Sequence, residues 1–180
     1  EKDVKKHFYE LLEPNENIID PVNYAEMVMN KCEEIIKNGG VPIIEGGSTT
    51  FFPDFYQLNQ KKKICKIIGL KFFSDFDIEK KIIQRVEEAF KEGLLEEIIK
   101  NLKKYRNTLV MQDGHCVVPL VSYLDKEIDL NTAKKKILER CLGYIDRQME
   151  LFTDYDDIIW LEHEPRLLSK TVEKIADLIK

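Results

Sequence analysis

At 180 residues, 43% hydrophobic and 34% charged, the chain has the size and composition of one globular domain, which excludes a disordered or low-complexity protein. No apolar run approaches the roughly 20 residues of a membrane-spanning helix, and the opening Glu1-Lys2-Asp3-Val4-Lys5-Lys6 has no apolar stretch to act as a secretory signal. A net charge of −5 excludes a global basic field for nucleic acid, so any RNA contact falls to local patches such as Lys61-Lys62-Lys63 or Lys103-Lys104-Tyr105-Arg106. On charge alone those runs read equally well as solvated faces.

Helical and strand signals alternate along the chain. Asn23 and Glu26 form a capping pair after Asp20-Pro21, and Val28, Cys32, Ile35 and Ile36 repeat at helical spacing until Gly39-Gly40. Val41 to Glu45 is a short apolar run between glycines, which predicts a strand covered on both faces. Ile64 to Phe73 predicts a second strand. Ser74 and Asp75 then cap a helix carrying Ile78, Ile82, Val86 and Phe90 to Gly93, and Leu94 to Leu102 continues as helix. Val117 to Leu124 is helical with Pro119 in its first turn, and Asn131 to Phe152 is the longest helix. Ile158 to Leu161 predicts a third strand, and Pro165 opens a final amphipathic helix through Leu168, Val172, Ile175 and Ile179. This alternation predicts a single α/β domain over residues 1–180, layered around a mainly parallel sheet flanked by helices.

Cys32, Cys65, Cys116 and Cys141 are far apart in sequence and sit among apolar neighbours, and His7, His115 and His163 complete no zinc pattern. They read as reduced core thiols of a cytoplasmic protein, with no metal site. The most informative local feature is a strand followed by Gly46-Gly47-Ser48 and a possible helix. Paired glycines let a backbone approach a ligand, a new helix presents free N–H groups, and Ser48 adds a hydroxyl, an arrangement suited to phosphate. A plain turn has the same sequence. Arg85 can reach the sheet edge as a diphosphate clamp or pair with Glu88 or Glu92 on its own helix. Arg147-Gln148 offers charge and amide donors together, or simply a polar stripe. No Gly-x-x-x-x-Gly-Lys-(Ser/Thr) loop occurs in the 180 residues.

Several segments together resemble the tRNA dimethylallyltransferase (isopentenyltransferase) family and its smaller relatives, the adenylate isopentenyltransferases. Pro42-Ile43-Ile44-Glu45-Gly46-Gly47-Ser48 is similar to the family's Pro-Ile-x-x-Gly-Gly-(Thr/Ser). Gln84-Arg85-Val86, through Phe90 to Gly93-Leu94-Leu95-Glu96-Glu97, is similar to its second motif. Tyr123 to Leu130, then Tyr144-x-x-Arg147-Gln148 and Phe152, resemble the third, and Asp157-Ile158-Ile159-Trp160 closes the series in the family's order.

The resemblance implies a three-layer P-loop-type fold and transfer of a dimethylallyl group from dimethylallyl diphosphate to N6 of adenine, in tRNA or in an adenine nucleotide. It places Gly46, Gly47, Ser48 and Arg85 at the diphosphate, with Ser48 near the reacting centre, and Gly114, Arg147 and Gln148 on the adenine or RNA side. It also implies Mg²⁺. The family's P-loop, its metal-holding Ser or Thr and its catalytic Asp precede the matched segments, so an N-terminal segment is expected upstream or on another chain. The tRNA-gripping insertion is expected between about residues 56 and 63, where only a Lys-rich connection stands, which favours a nucleotide-sized acceptor. Asp146 replaces a usual Lys, Phe152 a usual Trp, and Gly114-His115 a Gly-Tyr. The alternative is an inactive family member that keeps the fold as a binding or scaffold protein.

Overall fold

The computed structural model describes residues 4–9, 11–46, 48–72, 75–163 and 168–179. In chain order these form α1 (Pro21–Lys37), α2 (Phe52–Lys62), β1 (Ile68–Phe72), α3 (Asp75–Lys91), α4 (Leu94–Tyr105), α5 (Leu109–Asp113), α6 (Val117–Leu124), α7 (Leu130–Thr153), β2 (Ile159–His163) and α8 (Leu168–Leu178). The chain is a helix-rich α/β protein with a small parallel sheet. It divides into two compact units, residues 1–18 with 84–140 and residues 19–83 with 141–180, and the division falls within α3 and within α7. None of the described helices is long and apolar enough to cross a membrane.

In the second unit, α1 is opened by Asp20, whose carboxylate accepts from the Asn23 N–H at 3.1 Å, so the cap lies one turn earlier than the Asn23 and Glu26 pair suggested. Ala25, Val28, Met29 and Cys32 are buried along one face at helical spacing, and α1 packs on α2. The two strands pair in parallel, with Ile68 opposite Ile159 and Gly69 opposite Trp160. A Cβ on Gly69 would lie 2.6 Å from the Trp160 ring, so only glycine lets the indole lie across the strand. Buried Asn59 locks the approach to β1: its side-chain amide donates to the Cys65 carbonyl at 2.8 Å and accepts from the Cys65 N–H at 2.9 Å. On the far side α8 packs against β2, and Thr171 Oγ1 lies 3.1 Å from His163 Nδ1.

In the first unit, buried side chains come from Val86 on α3, Ile98 on α4, Met111 on α5, Leu120 on α6 and Ala133 with Ile137 on α7. Both α4 and α5 pack on α6. Lys134 of α7 pairs with Glu87 of α3 at 2.9 Å and sits 4.7 Å above the Phe90 ring.

Three expectations need correction. Residues 41–45 form no strand: Val41 and Ile43 are 66% and 82% exposed, and the described strands pair only with each other, leaving this run without a ladder partner among them. The second strand is Ile68–Phe72 rather than a run from Ile64, since Asn59 holds Cys65 in an irregular approach. The Lys-rich stretch before it is no open connection. Lys61 and Lys62 form the last turn of α2, where the helix dipole favours cations, and Lys63 caps it with φ 52°. None of the four cysteines is in a disulfide, and Cys32 alone of them is fully buried. Ser74, Pro165 and Gly47 lie outside the described residues.

Candidate functional site

The turn before α2 is built by two residues. Gly46 has φ +97° with open space where a Cβ would stand, so the backbone conformation, not crowding, calls for glycine. Ser48 closes the turn. Its carbonyl accepts from the N–H groups of Phe51 at 3.2 Å and Phe52 at 3.0 Å, and its Oγ accepts from the Thr50 N–H at 3.2 Å. Pro53 has no N–H, Phe55 donates to the Phe51 carbonyl, and Asp54 adds a carboxylate to the first turn. The dipole end of α2 is thus largely closed by its own chain. The Ser48 hydroxyl accepts within the turn, which leaves its proton for an oxygen acceptor.

Four residues beyond Ser48, Phe52 enters an aromatic cluster. It meets Phe152 edge to face at 4.8 Å and Tyr155 at 5.2 Å, while Tyr56 stacks at a tilt on Tyr155 at 4.2 Å. One turn before Phe152 on α7 is Gln148, whose Nε2 donates to Tyr144 Oη at 2.9 Å. Arg147 is exposed beside it and lies back along α7, with Nη1 3.5 Å from where a Gly143 Cβ would stand. Phe52 and Phe152 therefore bring the Ser48 turn and the Arg147-Gln148 end of α7 to the same region of the second unit.

Beneath this cluster Asp157 accepts from both Tyr56 Oη and Gln60 Nε2. The Tyr56 hydrogen bond holds the Asp157 carboxyl below its usual range, and the same bond pushes the Tyr56 hydroxyl up to about 12. A cavity of about 400 Å³ beside it is lined by Asn59, Gln60, Lys63, Cys65, Lys66 and Asp157, among others. Sequence reasoning named Asp157 only as part of a motif and missed its partners. The available signal was Tyr56 and Gln60, two donors four residues apart on one helix face.

The other expected site residues belong to the first unit. Arg85 is exposed on α3 with no ion-pair partner among the described residues; nearby Glu88 accepts from Gln84 Nε2 at 2.7 Å. Gly114 sits between α5 and α6, and its carbonyl accepts from the Val118 N–H at 3.1 Å. Arg140 of α7 donates from Nη2 to the carbonyl of neighbouring Asp113 at 3.1 Å, steadying that turn. No group of three or more His, Cys, Asp or Glu among the described residues is arranged to hold a metal ion. The described residues thus offer no ready-made carboxylate cluster for Mg²⁺.

The family model for IPP transferase matches residues 54–155, more than half of the chain. This chain belongs to the IPP transferase family. Relatives named tRNA dimethylallyltransferase include that of Caldanaerobacter subterraneus, 36% identical over 79% of this chain and 46% of the relative. That of Sulfurihydrogenibium is 29% identical over 78% of this chain and 47% of the relative. The enzyme of Gloeothece citriformis is 32% identical over 56% of this chain and 33% of its own length. The chain thus spans about half, or less, of these curated IPP transferases. The tRNA isopentenylpyrophosphate transferase of Bacillus halodurans superposes with a TM-score of 0.82 at 15% identity, covering 99% of this chain and 78% of that one. That of Staphylococcus epidermidis gives 0.81 at 16% identity, over 94% of this chain and 78% of the other. At such identities the likeness establishes the IPP transferase fold.

Proposed function

We propose that this chain serves transfer of a dimethylallyl group from dimethylallyl diphosphate to N6 of an adenine in tRNA, in a cytoplasmic enzyme of three-layer P-loop type. The family match over residues 54–155 carries this reading, and its tRNA dimethylallyltransferase relatives point to the acceptor. In the reaction the bond between the dimethylallyl carbon and the diphosphate oxygen breaks. A bond from that carbon to N6 forms, N6 passes a proton to the released diphosphate or to water, and diphosphate leaves. An exocyclic amine is a weak nucleophile, so orientation and stabilisation of the leaving group dominate the rate.

The chain's own residues fit those tasks. Ser48 donates its free proton to a diphosphate oxygen, and exposed Arg85 supplies a guanidinium for the same charge. Gln148, anchored through Nε2 to Tyr144, keeps its Oε1 to accept from adenine N6–H and its second amide proton to donate to N7. The family resemblance, rather than any observed placement, assigns Arg147 and Gly114 to the adenine or RNA side.

The test is prenylation itself. The natural polypeptide carrying this sequence is incubated with labelled dimethylallyl diphosphate, Mg²⁺ and either tRNA or AMP, and nucleosides are separated by mass. Dimethylallyl adenosine from tRNA supports the proposal. Product from AMP alone moves the acceptor to a free nucleotide, which the unbroken helix α2 over residues 52–62 favours. No product from either acceptor overturns the transferase reading and leaves the binding-protein alternative.

A further inference from the structure

We propose that Cys32 and Cys65 are a reversible dithiol–disulfide pair, oxidised by a peroxide that reaches Cys65 from the cavity beside Asp157. Closing the pair ties α1 covalently to the lead-in of β1, inside the second unit. The two thiols are far apart in sequence, yet they share a hydrogen bond in the fold. Cys32 is buried on the face of α1 that carries Val28 and Met29, whereas Cys65 is half-buried and lines the cavity wall. One thiol is therefore reachable from outside, and the other stands behind it.

The contact is held from both sides by one helix. Asn59 of α2 answers the N–H and the carbonyl of Cys65, which fixes the backbone that carries the outer thiol. On the other side α1 packs on α2, and Glu33, next to Cys32, pairs with Lys62 at the end of α2 at 2.6 Å. The chemistry runs in two steps. The Cys65 thiolate attacks one peroxide oxygen, the O–O bond breaks, and Cys65 becomes a sulfenic acid while hydroxide leaves and takes up the thiol's proton as water. The Cys32 thiolate then attacks the Cys65 sulfur and the S–OH bond breaks, so a second hydroxide leaves with the second proton as water. Two electrons pass from the two sulfurs to the peroxide, and a dithiol reductant returns them. Burial pushes the Cys65 thiol up to about 11 and raises the Cys32 thiol as well. Reactive thiolate is therefore scarce at neutral pH, and closure is slow, answering sustained rather than brief oxidation. The uncharged disulfide, once formed, carries no such burial penalty.

The natural polypeptide carrying this sequence is treated with hydrogen peroxide, its remaining thiols are alkylated, and it is digested without reduction for mass spectrometry. The peptides holding Cys32 and Cys65 should appear joined, lighter than their sum by two hydrogens, and should separate again after treatment with dithiothreitol. The rate of joining should climb roughly tenfold per pH unit between about pH 7 and 9, as thiolate attack requires. With dimedone present to trap sulfenic acid, Cys32→Ala should collect the adduct on Cys65, because the second thiol that would resolve it is gone. Cys65→Ser, a change at the half-buried position, should leave Cys32 a thiol under the same treatment. No joined peptide from the folded natural protein overturns the proposal, as does joining that appears only after urea is added. Oxidation of Cys32 as fast in Cys65→Ser as in the natural protein overturns the entry through Cys65. The same treatment of Cys116→Ser/Cys141→Ser should still give the joined pair; its loss there would assign the disulfide to other cysteines and sink the pairing.

Discussion

Phe52 and Phe152 meet edge to face, with ring centroids 4.8 Å apart and ring planes at 81°. This contact joins the start of α2 to the end of α7, and with them the two segments that carry Ser48 and Gln148. A double-mutant cycle of Phe52→Ala and Phe152→Ala, measured by urea denaturation, should give a coupling of about 1 kcal/mol. A coupling near zero would mean the rings are neighbours without being partners.

Asn59 is buried and answers both backbone groups of Cys65. Asn59→Ala removes two hydrogen bonds and leaves an N–H and a carbonyl unanswered, costing roughly 2–3 kcal/mol. Asn59→Asp keeps the shape but cannot donate to the Cys65 carbonyl, so it should be destabilised as well. Thermal melts of the two variants check this; an Asp variant as stable as the natural protein would contradict the assigned amide orientation.

The Tyr56–Asp157 bond should shape stability at both ends of the pH scale. The Asp157 carboxyl is lowered by the Tyr56 hydrogen bond, so the folded state binds its proton more weakly than the unfolded chain does. That contribution is present above the unfolded value, about 3.9, and fades as pH falls through the lower folded value. Tyr56 is raised to about 12, so the folded state holds its proton more tightly. That contribution is full below about 10 and is lost as pH rises through 12. Tyr56→Phe should flatten both limbs in urea titrations run across pH. A variant that keeps both limbs would place their origin elsewhere.

Gly69→Ala puts a methyl 2.6 Å from the Trp160 ring and 2.9 Å from Ile158 Cγ2. We expect a loss of roughly 1–3 kcal/mol, with part of it recovered when Trp160→Val is added. If the double variant is no better than the single one, the clash is not with the indole.

Much of the helical structure was legible because its periodicity is local. Val28 and Cys32, or Ile137 within the longest helix, fall on buried faces as the apolar spacing demands. The strand at Ile159–His163 was equally readable as an apolar run bounded by turn residues. The strand expected at residues 41–45 was not realised, because a strand is defined by its neighbour and no spacing in the chain reveals whether a neighbour is there. The second half of α2 escaped notice for a different reason: Gln57 to Lys62 is too polar to show an apolar stripe, and aromatic contacts from Phe52 and Tyr56 hold it. For the candidate site, the Gly46-to-Ser48 turn and the Arg147-Gln148 pair were visible as motifs. That Phe52 and Phe152 bring them to one region was not, since the two rings are a hundred positions apart in the chain.

The exposed run from Val41 to Ile44 has a colloidal consequence. Three β-favouring side chains are exposed to water, with no strand among the described residues paired to the backbone between them, which is the makings of a sticky edge for another molecule. Pro42 interrupts it, presenting a ring where a docking strand would need an N–H. How concentrated a solution of this protein can become before molecules begin to stack therefore depends on one imino acid.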